Sequence, residues 1–599
     1  MAKVSPTLYG LMTEEINHSY DGGLYAEMVS NRALKDEDWM PAHWTMLQNS
    51  VLGGTMTFDQ QSGPSTAVSR SLKLVVSKAA ADDPVGVQND GFWGLSLKAK
   101  TTYKGSFYAK ADHPAMGPVT VSVVNNDSGK VLAKATAEPL GTDWKQYRFE
   151  LHTTAMVPSA ANTIVLTVEK PGTVWFSLVS LFSPTFAGRS NGNRIDIMEK
   201  LAALRPKFLR FPGGNYLEGN HIGERFDWKK TIGPLVERPT HRSPWGYNST
   251  DGMGLLEFLG WCEDLNMQPV LAVYGGYSLE QEYVRPGRDL GPYVQDALDE
   301  IEYVVGGPET KWGVVRASQG HPKPFPLTYV EIGNEDNFDK SKTYDARFAQ
   351  FFDAIKKKYP TLQIIGSTSV KSRTPDVLDD HYYRLQSEFY SDTHHYDKVD
   401  RKGPKIFVGE WATLEGTPTG TFGAALSDAA WMTGMERNSD IIVMAAYAPL
   451  LTNVNPSALQ WRTNLIGYDA STSYGSPSYY AQVMFSDGLG DEIVEARLQD
   501  AGPLFFYSVT RDVAKHRLFL KLVNASGRKQ VVELNLAGAS KVERQAKLTT
   551  LTAKTTQATN SITSPKNVVP VTSTVSGFSP RFKHGMPAYS IQVLEVGVE

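Results

Sequence analysis

From about residue 190 to 450, short apolar runs alternate with stretches whose apolar positions recur three and four apart. The first pattern predicts buried strands and the second amphipathic helices, and their alternation predicts βα units around a parallel sheet. The strand-like runs are FLRFPGGN (208–215), QPVLAVYGG (268–276), LTYVEIGNE (327–335), QIIGSTS (363–369), VLDDHYY (377–383), KIFVGEWA (405–412) and DIIVMAAYAPL (440–450). Helical stretches between them include NRIDIMEKLAALRP, GMGLLEFLGWCEDLN, LGPYVQDALDEIEYVVG, TYDARFAQFFDAIKKKYP and AALSDAAWMTGMERNS. Seven strands do not close a barrel. TLYGLMTEE (7–15) supplies an eighth, which places a long insertion after the first strand.

That insertion switches period. GFWGLSLKAK, KGSFYAKA, VTVSVVNN, KQYRFELHT, NTIVLTVEK and GTVWFSLVSLF alternate every second residue between turn-forming Gly, Pro, Asn and Asp, the mark of a β-sandwich. After about 485 the chain again reads as strands alone (FFYSVTRD, HRLFLKLVN, QVVELNLAG, YSIQVLEVG), with a Ser/Thr/Asn-rich interval at 548–575. The expected fold is therefore an α/β chain: a (β/α)8 TIM barrel with an inserted β-sandwich and a C-terminal β-sandwich. Its expected units are residues 1–39 (first barrel strand), 40–187 (inserted sandwich), 188–484 (barrel) and 485–599 (C-terminal sandwich).

Composition narrows the function classes. A formal net charge of -4 and a pI near 6.3 leave no basic field for nucleic acid or an anionic membrane, and no apolar run is long enough to span a bilayer. The start MAKVSPTLYG enters a strand within six residues, which suits a chain whose export signal has been removed, so a secreted or periplasmic protein is expected, with the cytoplasm the alternative. The single cysteine, Cys262, allows no intrachain disulfide and, among Leu, Phe and Trp, reads as a buried thiol. The pair His394-His395 lacks a third ligand at regular spacing, so neither metal nor cofactor is expected.

Working residues of such a barrel sit where its strands end. Strand four ends Glu331-Ile-Gly-Asn334-Glu335 and strand seven Gly409-Glu410-Trp411. Glycoside hydrolysis needs two such carboxyl groups facing across a cleft, one to protonate the leaving oxygen and one to attack the sugar or activate water. A solvated acid is the commoner fate of a single Glu, but two at strand ends on one rim favour the pair.

FLRFPGGNYLEGN, EIGNED and VGEWA, with the start SPTLYGLMTEEINHSYDGGLYAEM, resemble glycoside hydrolase family 51, the α-L-arabinofuranosidases, over essentially the whole chain. That resemblance implies Glu335 as acid/base, Glu410 as nucleophile and Glu331 as a barrel-interior acid. It also implies that Asn334 binds the sugar 2-hydroxyl and that Glu14 and Asn215 grip the furanose, with Glu15 a rival for Glu14. His381 and Tyr383 become a pair near the nucleophile, with Tyr382 the rival, and Trp461 and Asn464 become substrate contacts. Gly213 and Gly214 are expected to let the backbone approach the sugar, with a plain tight turn the alternative. The insertion is expected to be carbohydrate-binding-module-like, with Trp93, Tyr103 and Trp144 available to stack on glycan, although buried packing is the commoner fate of a Trp in a small sandwich.

The function this implies is retaining release of terminal arabinofuranosyl residues from arabinoxylan, arabinan or their oligosaccharides, by a monomer acting on plant cell-wall glycan. Two carboxylates do not identify the sugar, so an endo-β-glucanase or β-xylosidase on the same barrel, or a non-catalytic glycan-binding protein, are the alternatives.

Overall fold

All eight runs become strands of one closed parallel barrel. They are, in order, Tyr9–Met12, Phe208–Phe211, Gln268–Val273, Tyr329–Ile332, Gln363–Gly366, Val377–Arg384, Lys405–Thr413 and Ile442–Tyr447. The computed structural model describes residues 2–48, 53–500 and 502–599. Closure comes from the first strand, which pairs with the second through Leu11–Leu209 and with the eighth through Gly10–Ala446. The barrel is a packed core: Met12, Phe208, Val270, Ile365, Val377, Phe407 and Met444 fill its interior. Outside it, helices such as Ile195–Ala203, Leu255–Asp264, Gly291–Val305, Tyr344–Lys358 and Phe422–Arg437 bury their apolar faces against the strands. Helices Lys311–Ser318 and Pro477–Asp487 escape the sequence reading, since their apolar positions are sparse or follow a proline.

The insertion is a sandwich of two five-stranded antiparallel sheets. One runs in the order Trp44–Leu47, Val85–Asn89, Asn162–Val168, Pro118–Asn125, Val131–Pro139, and the other Gly54–Asp59, Ser71–Val76, Gly172–Phe182, Thr102–Ala111, Lys145–His152. Alternate residues such as Leu74, Val87, Phe107, Val121, Ile164 and Phe176 meet in its core. GFWGLSLKAK is not a strand. It is a chain of turns around isolated bridges, because Gly91, Trp93 and Gly94 all have positive φ.

The C-terminal unit is lopsided. A six-stranded sheet carries Phe505–Asp512, Arg517–Asn524 and Ser590–Val598 at its centre, and only Gln530–Asn535 and Arg581–Met586 form the second layer. The barrel helix Phe422–Arg437 closes the open face, which is why that helix is buried on every side. Part of the Ser/Thr/Asn-rich interval is no strand at all. Its Asn560 side chain donates to Gly475 O (2.8 Å) and Thr559 to Gly420 O (3.0 Å), so the segment is a strap onto the barrel.

Candidate active site

The second barrel strand carries the organising residue. In FLRF, Phe208 points into the barrel, so Arg210, two residues on, must point inward as well, near the C-terminal rim. It is fully buried and held by carboxyls: Glu331 at 2.5 and 3.2 Å and Glu410 at 2.9 Å, with Asp379 at 3.7 Å. It also donates to Asn334 Oδ1 (2.8 Å). A charge in this position is affordable only because several acids surround it.

Glu410 faces the same cavity by a local device. Between strands six and seven the register runs Asp379–Phe407 and then His381–Glu410, so three steps on strand seven oppose two on strand six. The extra residue is a β-bulge, which turns Glu410 to the inward side that a regular strand would deny it. Gly409 is required at the bulge, since a Cβ there would strike the Asp379 carboxylate, which accepts the Gly409 N–H at 2.9 Å. The two oxygens of Glu410 are separately engaged. Oε1 accepts from Arg210, and Oε2 accepts the Tyr383 hydroxyl at 2.7 Å.

Glu335 is reached through a kink. Gly333 at φ 82 and Glu335 itself at φ 44 leave the extended path after strand four, a strained conformation for a glutamate, and aim its side chain back over the strand ends. Its carboxyl is about a quarter exposed while that of Glu410 is nearly covered. His381 bridges them: Nδ1 lies 2.8 Å from Glu335 Oε1 and 3.5 Å from Glu410 Oε2, and Nε2 lies 2.7 Å from Asp379 Oδ2. Carboxylate oxygens of Glu335 and Glu410 thus come within 4.8 Å of each other.

Charge in this cluster is unevenly shared. Burial opposes charging His381, but the Asp379 and Glu410 charges and its hydrogen bonds to Asp379 and Glu335 hold the imidazolium well above the ordinary histidine range. Burial alone would raise the Asp379 carboxyl, yet the His381 and Arg210 charges outweigh it and hold it at about 2. Glu331 goes the other way, to about 8, because burial and the neighbouring Asp379 charge outweigh Arg210. With both nitrogens protonated, His381 donates Nε2–H to Asp379 and Nδ1–H towards Glu335. Glu335, His381 and Glu410 are the one trio among the described residues with ligand atoms this close, but His381 has committed both nitrogens and leaves none to a cation.

Glu14 completes the row of carboxyl groups. It accepts from Tyr216 N (3.3 Å) and Trp245 Nε1 (3.1 Å), and burial together with the Glu410 charge pushes its carboxyl up to about 8. Its neighbour Glu15 accepts instead from Tyr247 and from the backbone of Tyr20 and Asp21, so of the two it is Glu14 that neighbours Glu410. Gly214 leaves room for the Glu14 carboxyl, 2.5 Å from where a Cβ would lie, and Gly213 passes against Thr13 O. The close approaches that this glycine pair permits are therefore to the protein's own chain, the Thr13 carbonyl and the Glu14 carboxyl.

The remaining expectations divide. Asn334 is buried and its amide donates to Glu218 (2.9 Å) and, at 3.4 Å, to Asn215, so these two asparagines adjoin at the rim. Tyr382 bonds Asp392 at 2.5 Å and stacks flat on Trp431, outside the barrel, leaving Tyr383 as the site tyrosine. Trp461 lies 6.1 Å from the Tyr383 ring and 6.3 Å from Trp245. Asn464 lies in the protein interior. It is fully buried, its amide donates to Pro418 O and Trp461 O, and its carbonyl accepts from Asn17, so it braces the loop that carries Trp461. Tyr103 is likewise a core residue of the sandwich, with its hydroxyl on Lys98 N (2.7 Å). Arg210, Asp379, Glu218 and Trp245 escape the sequence reading. A signal existed for Arg210, a charged residue at an inward position of an otherwise apolar strand, whereas Asp379 lies in a strand of mixed polarity, Glu218 ends a helix of barely one turn and Trp245 lies on a loop.

The site can be set beside known proteins. Residues 200–401 match the model of the alpha-L-arabinofuranosidase 1 domain, 409–590 that of the alpha-L-arabinofuranosidase C-terminal domain, and 28–174 a carbohydrate binding domain. The chain is 38% identical to a probable alpha-L-arabinofuranosidase A of Aspergillus terreus, over 98% of this chain and 94% of that one. It is 34% identical to alpha-L-arabinofuranosidase 1 of Arabidopsis thaliana, over 95% and 85%. The solved structure of an arabinose-bound MgGH51 α-L-arabinofuranosidase superimposes with a TM-score of 0.94 at 36% identity, covering 100% of this chain and 98% of that one. Barrel, carboxyl pair and relatives agree, and the chain belongs to the α-L-arabinofuranosidases of glycoside hydrolase family 51, hydrolases that release arabinofuranosyl residues from glycans.

Proposed function

We propose that the chain cleaves terminal α-L-arabinofuranosides of arabinoxylan, arabinan or their oligosaccharides with retention, with Glu410 as nucleophile and Glu335 as acid/base. The observation that carries this is the approach of their carboxylate oxygens to within 4.8 Å. Retaining pairs stand about 5 to 5.5 Å apart, and inverting pairs, which must admit a water, about 6.5 to 9.5 Å.

In the first step a Glu410 oxygen forms a bond to the anomeric carbon as the glycosidic C–O bond breaks, and the Glu335 proton passes to the departing oxygen. In the second, Glu335 takes a proton from water, the water oxygen attacks the same carbon, and Glu410 leaves as carboxylate. Tyr383 and Arg210 hold one oxygen of Glu410 each, which orients the nucleophile. His381 and Glu331 tune the charge around the pair, and Glu14, neutral below about pH 8, can donate to a sugar hydroxyl. Asn215, Asn334 and Trp461 adjoin the cavity and suit the remaining hydroxyls and the ring. A polymer of this kind is met outside the cell, which supports export.

Glu410→Ala tests the assignment. Turnover of an aryl α-L-arabinofuranoside should fall by about 10⁴-fold or more, and azide should restore part of it as a glycosyl azide of inverted configuration. A variant that keeps near-normal turnover removes Glu410 from the role.

A further inference from the structure

The inserted sandwich meets the barrel loops at several places, Ser65 donating to Val236 O among them, and one of these is the turn Gly91-Phe92-Trp93-Gly94. Its backbone is unusual: φ is 69° at Gly91, 55° at Trp93 and 111° at Gly94. Glycine accepts such angles freely, but a tryptophan there is strained and is kept only where its surroundings hold it. Phe92 packs on Gly22, where a Cβ would come within 2.9 Å of the ring. Trp93 turns to the other side. Its indole N–H donates to Ser457 Oγ at 2.9 Å, and its ring meets His18 edge-on at 4.8 Å, yet 37% of the residue stays exposed.

Both partners of Trp93 belong to the loops that build the active site. His18 follows the first strand, stacks on Tyr247 at 3.9 Å, and is neutral because burial lowers its pKa to about 4. Asn17, beside it, accepts from the backbone of Gln460 and Trp461 at 2.7 Å. Trp461 in turn faces Trp245 and Tyr383, whose hydroxyl is on Glu410. Aromatic contacts thus run from Tyr383 to Trp461 and Trp245, and from Tyr247, on the same loop as Trp245, to His18 and Trp93, the member supplied by the sandwich. A buried tie between domains would not leave more than a third of the residue exposed beside these aromatic rings.

We propose that Trp93 is a platform for the leaving-group side of the substrate, stacking on a pyranosyl unit of the backbone from which arabinofuranose is removed. The class of ligand follows from shape. A β-linked xylopyranosyl ring presents a flat face of C–H groups that matches an indole, whereas the puckered furanose of an arabinan does not. Trp93 acts through substrate position and touches no reacting atom. The proposal rests on the arabinofuranosidase reading above.

The test compares three substrates: an aryl α-L-arabinofuranoside, an arabinan oligosaccharide and an arabinoxylan oligosaccharide. In Trp93→Ala the ratio of kcat/KM on the arabinoxylan oligosaccharide to that on the aryl glycoside should fall about tenfold, mostly through KM, the loss expected for one stacked ring. The corresponding arabinan ratio should fall less. Trp93→Phe, which keeps a ring but not the bond to Ser457, should recover most of the ratio, and Ser457→Ala should leave it as in the parent. A ratio unchanged within twofold, or a parallel loss on all three substrates with a lower Tm, overturns the platform and leaves Trp93 a domain tie. If the parent enzyme cleaves no arabinofuranoside, the failure lies with the reading of function and not with Trp93.

Discussion

Two buried clusters of charge, one inside the barrel and one at its side, solve the same physical problem in opposite ways. Inside, two cations, Arg210 and His381, face five carboxyls: Glu14, Glu331, Glu335, Asp379 and Glu410. At the side, Lys521 of the C-terminal sheet meets one acid, Glu436 of the barrel helix Phe422–Arg437, at 2.9 Å with both fully buried. Hydroxyls satisfy what remains: Tyr9 and Ser508 donate to Glu436 at 2.9 and 2.6 Å, and Lys521 donates to Thr510. The balanced pair holds three elements in register and has nothing left to exchange. The unbalanced cluster must carry protons on some of its acids, which places several of them ready to gain or lose one beside an open cleft. Surplus charge separates the chemical site from the architectural one.

Removing one partner of the balanced pair should have the largest effect. Lys521→Ala leaves Glu436 buried without a cation and should cost about 3 to 5 kcal/mol of stability, while kcat on an aryl arabinofuranoside stays as in the parent. Chemical denaturation and initial rates check this together, and a large drop in kcat with unchanged stability would reverse the two roles.

Asp428 sharpens the contrast from the same helix. It accepts from Thr413 and Ser478 but meets no cation, and burial raises its carboxyl to about 7. Between about pH 4 and 7 the folded chain therefore holds a proton that the unfolded chain has released, so stability declines as pH rises through that window. Each tenfold change in proton affinity between the two states is worth about 1.4 kcal/mol, so this group contributes a decline on the order of 4 kcal/mol, and Asp428→Asn should flatten it. Denaturant midpoints measured across pH 4 to 8 decide the matter, with parallel curves counting against it.

The smallest effect belongs to Glu14. Its proton is lost as pH rises through about 8, which removes a donor from the cleft and adds a second negative charge beside Glu410. Activity should fall on that alkaline limb, and Glu14→Gln should lose about tenfold in kcat/KM at neutral pH while shifting or abolishing the limb near 8. An alkaline limb identical in both proteins would assign it to another group.

The amino-acid sequence alone carried the fold class and singled out the two strand-end glutamates that the barrel brings together. Runs such as QPVLAVYGG and DIIVMAAYAPL are buried on both faces, so they are apolar throughout and legible as parallel strands, and a carboxylate at the end of such a run stands out against it. Alternation of period two marked the sandwiches for the same local reason. What the sequence left open depends on contacts between distant segments. GFWGLSLKAK alternates like a strand, but glycine turns and the packing of Phe92 on Gly22 make it a turn that carries Trp93 to the rim. Asn464 sits in a plausible substrate loop, yet its hydrogen bonds to Pro418, Trp461 and Asn17 close it to ligand. Between Glu14 and Glu15, or Tyr382 and Tyr383, the chain offers adjacent residues of one type, and only the pleat of the strand and the side on which a partner waits decides which enters the site. Arg210 shows the limit most clearly. Its position in FLRF is local information, but the reason a buried guanidinium is tolerated there is three carboxylates contributed by strands more than 100 residues away, which only the closed barrel brings together.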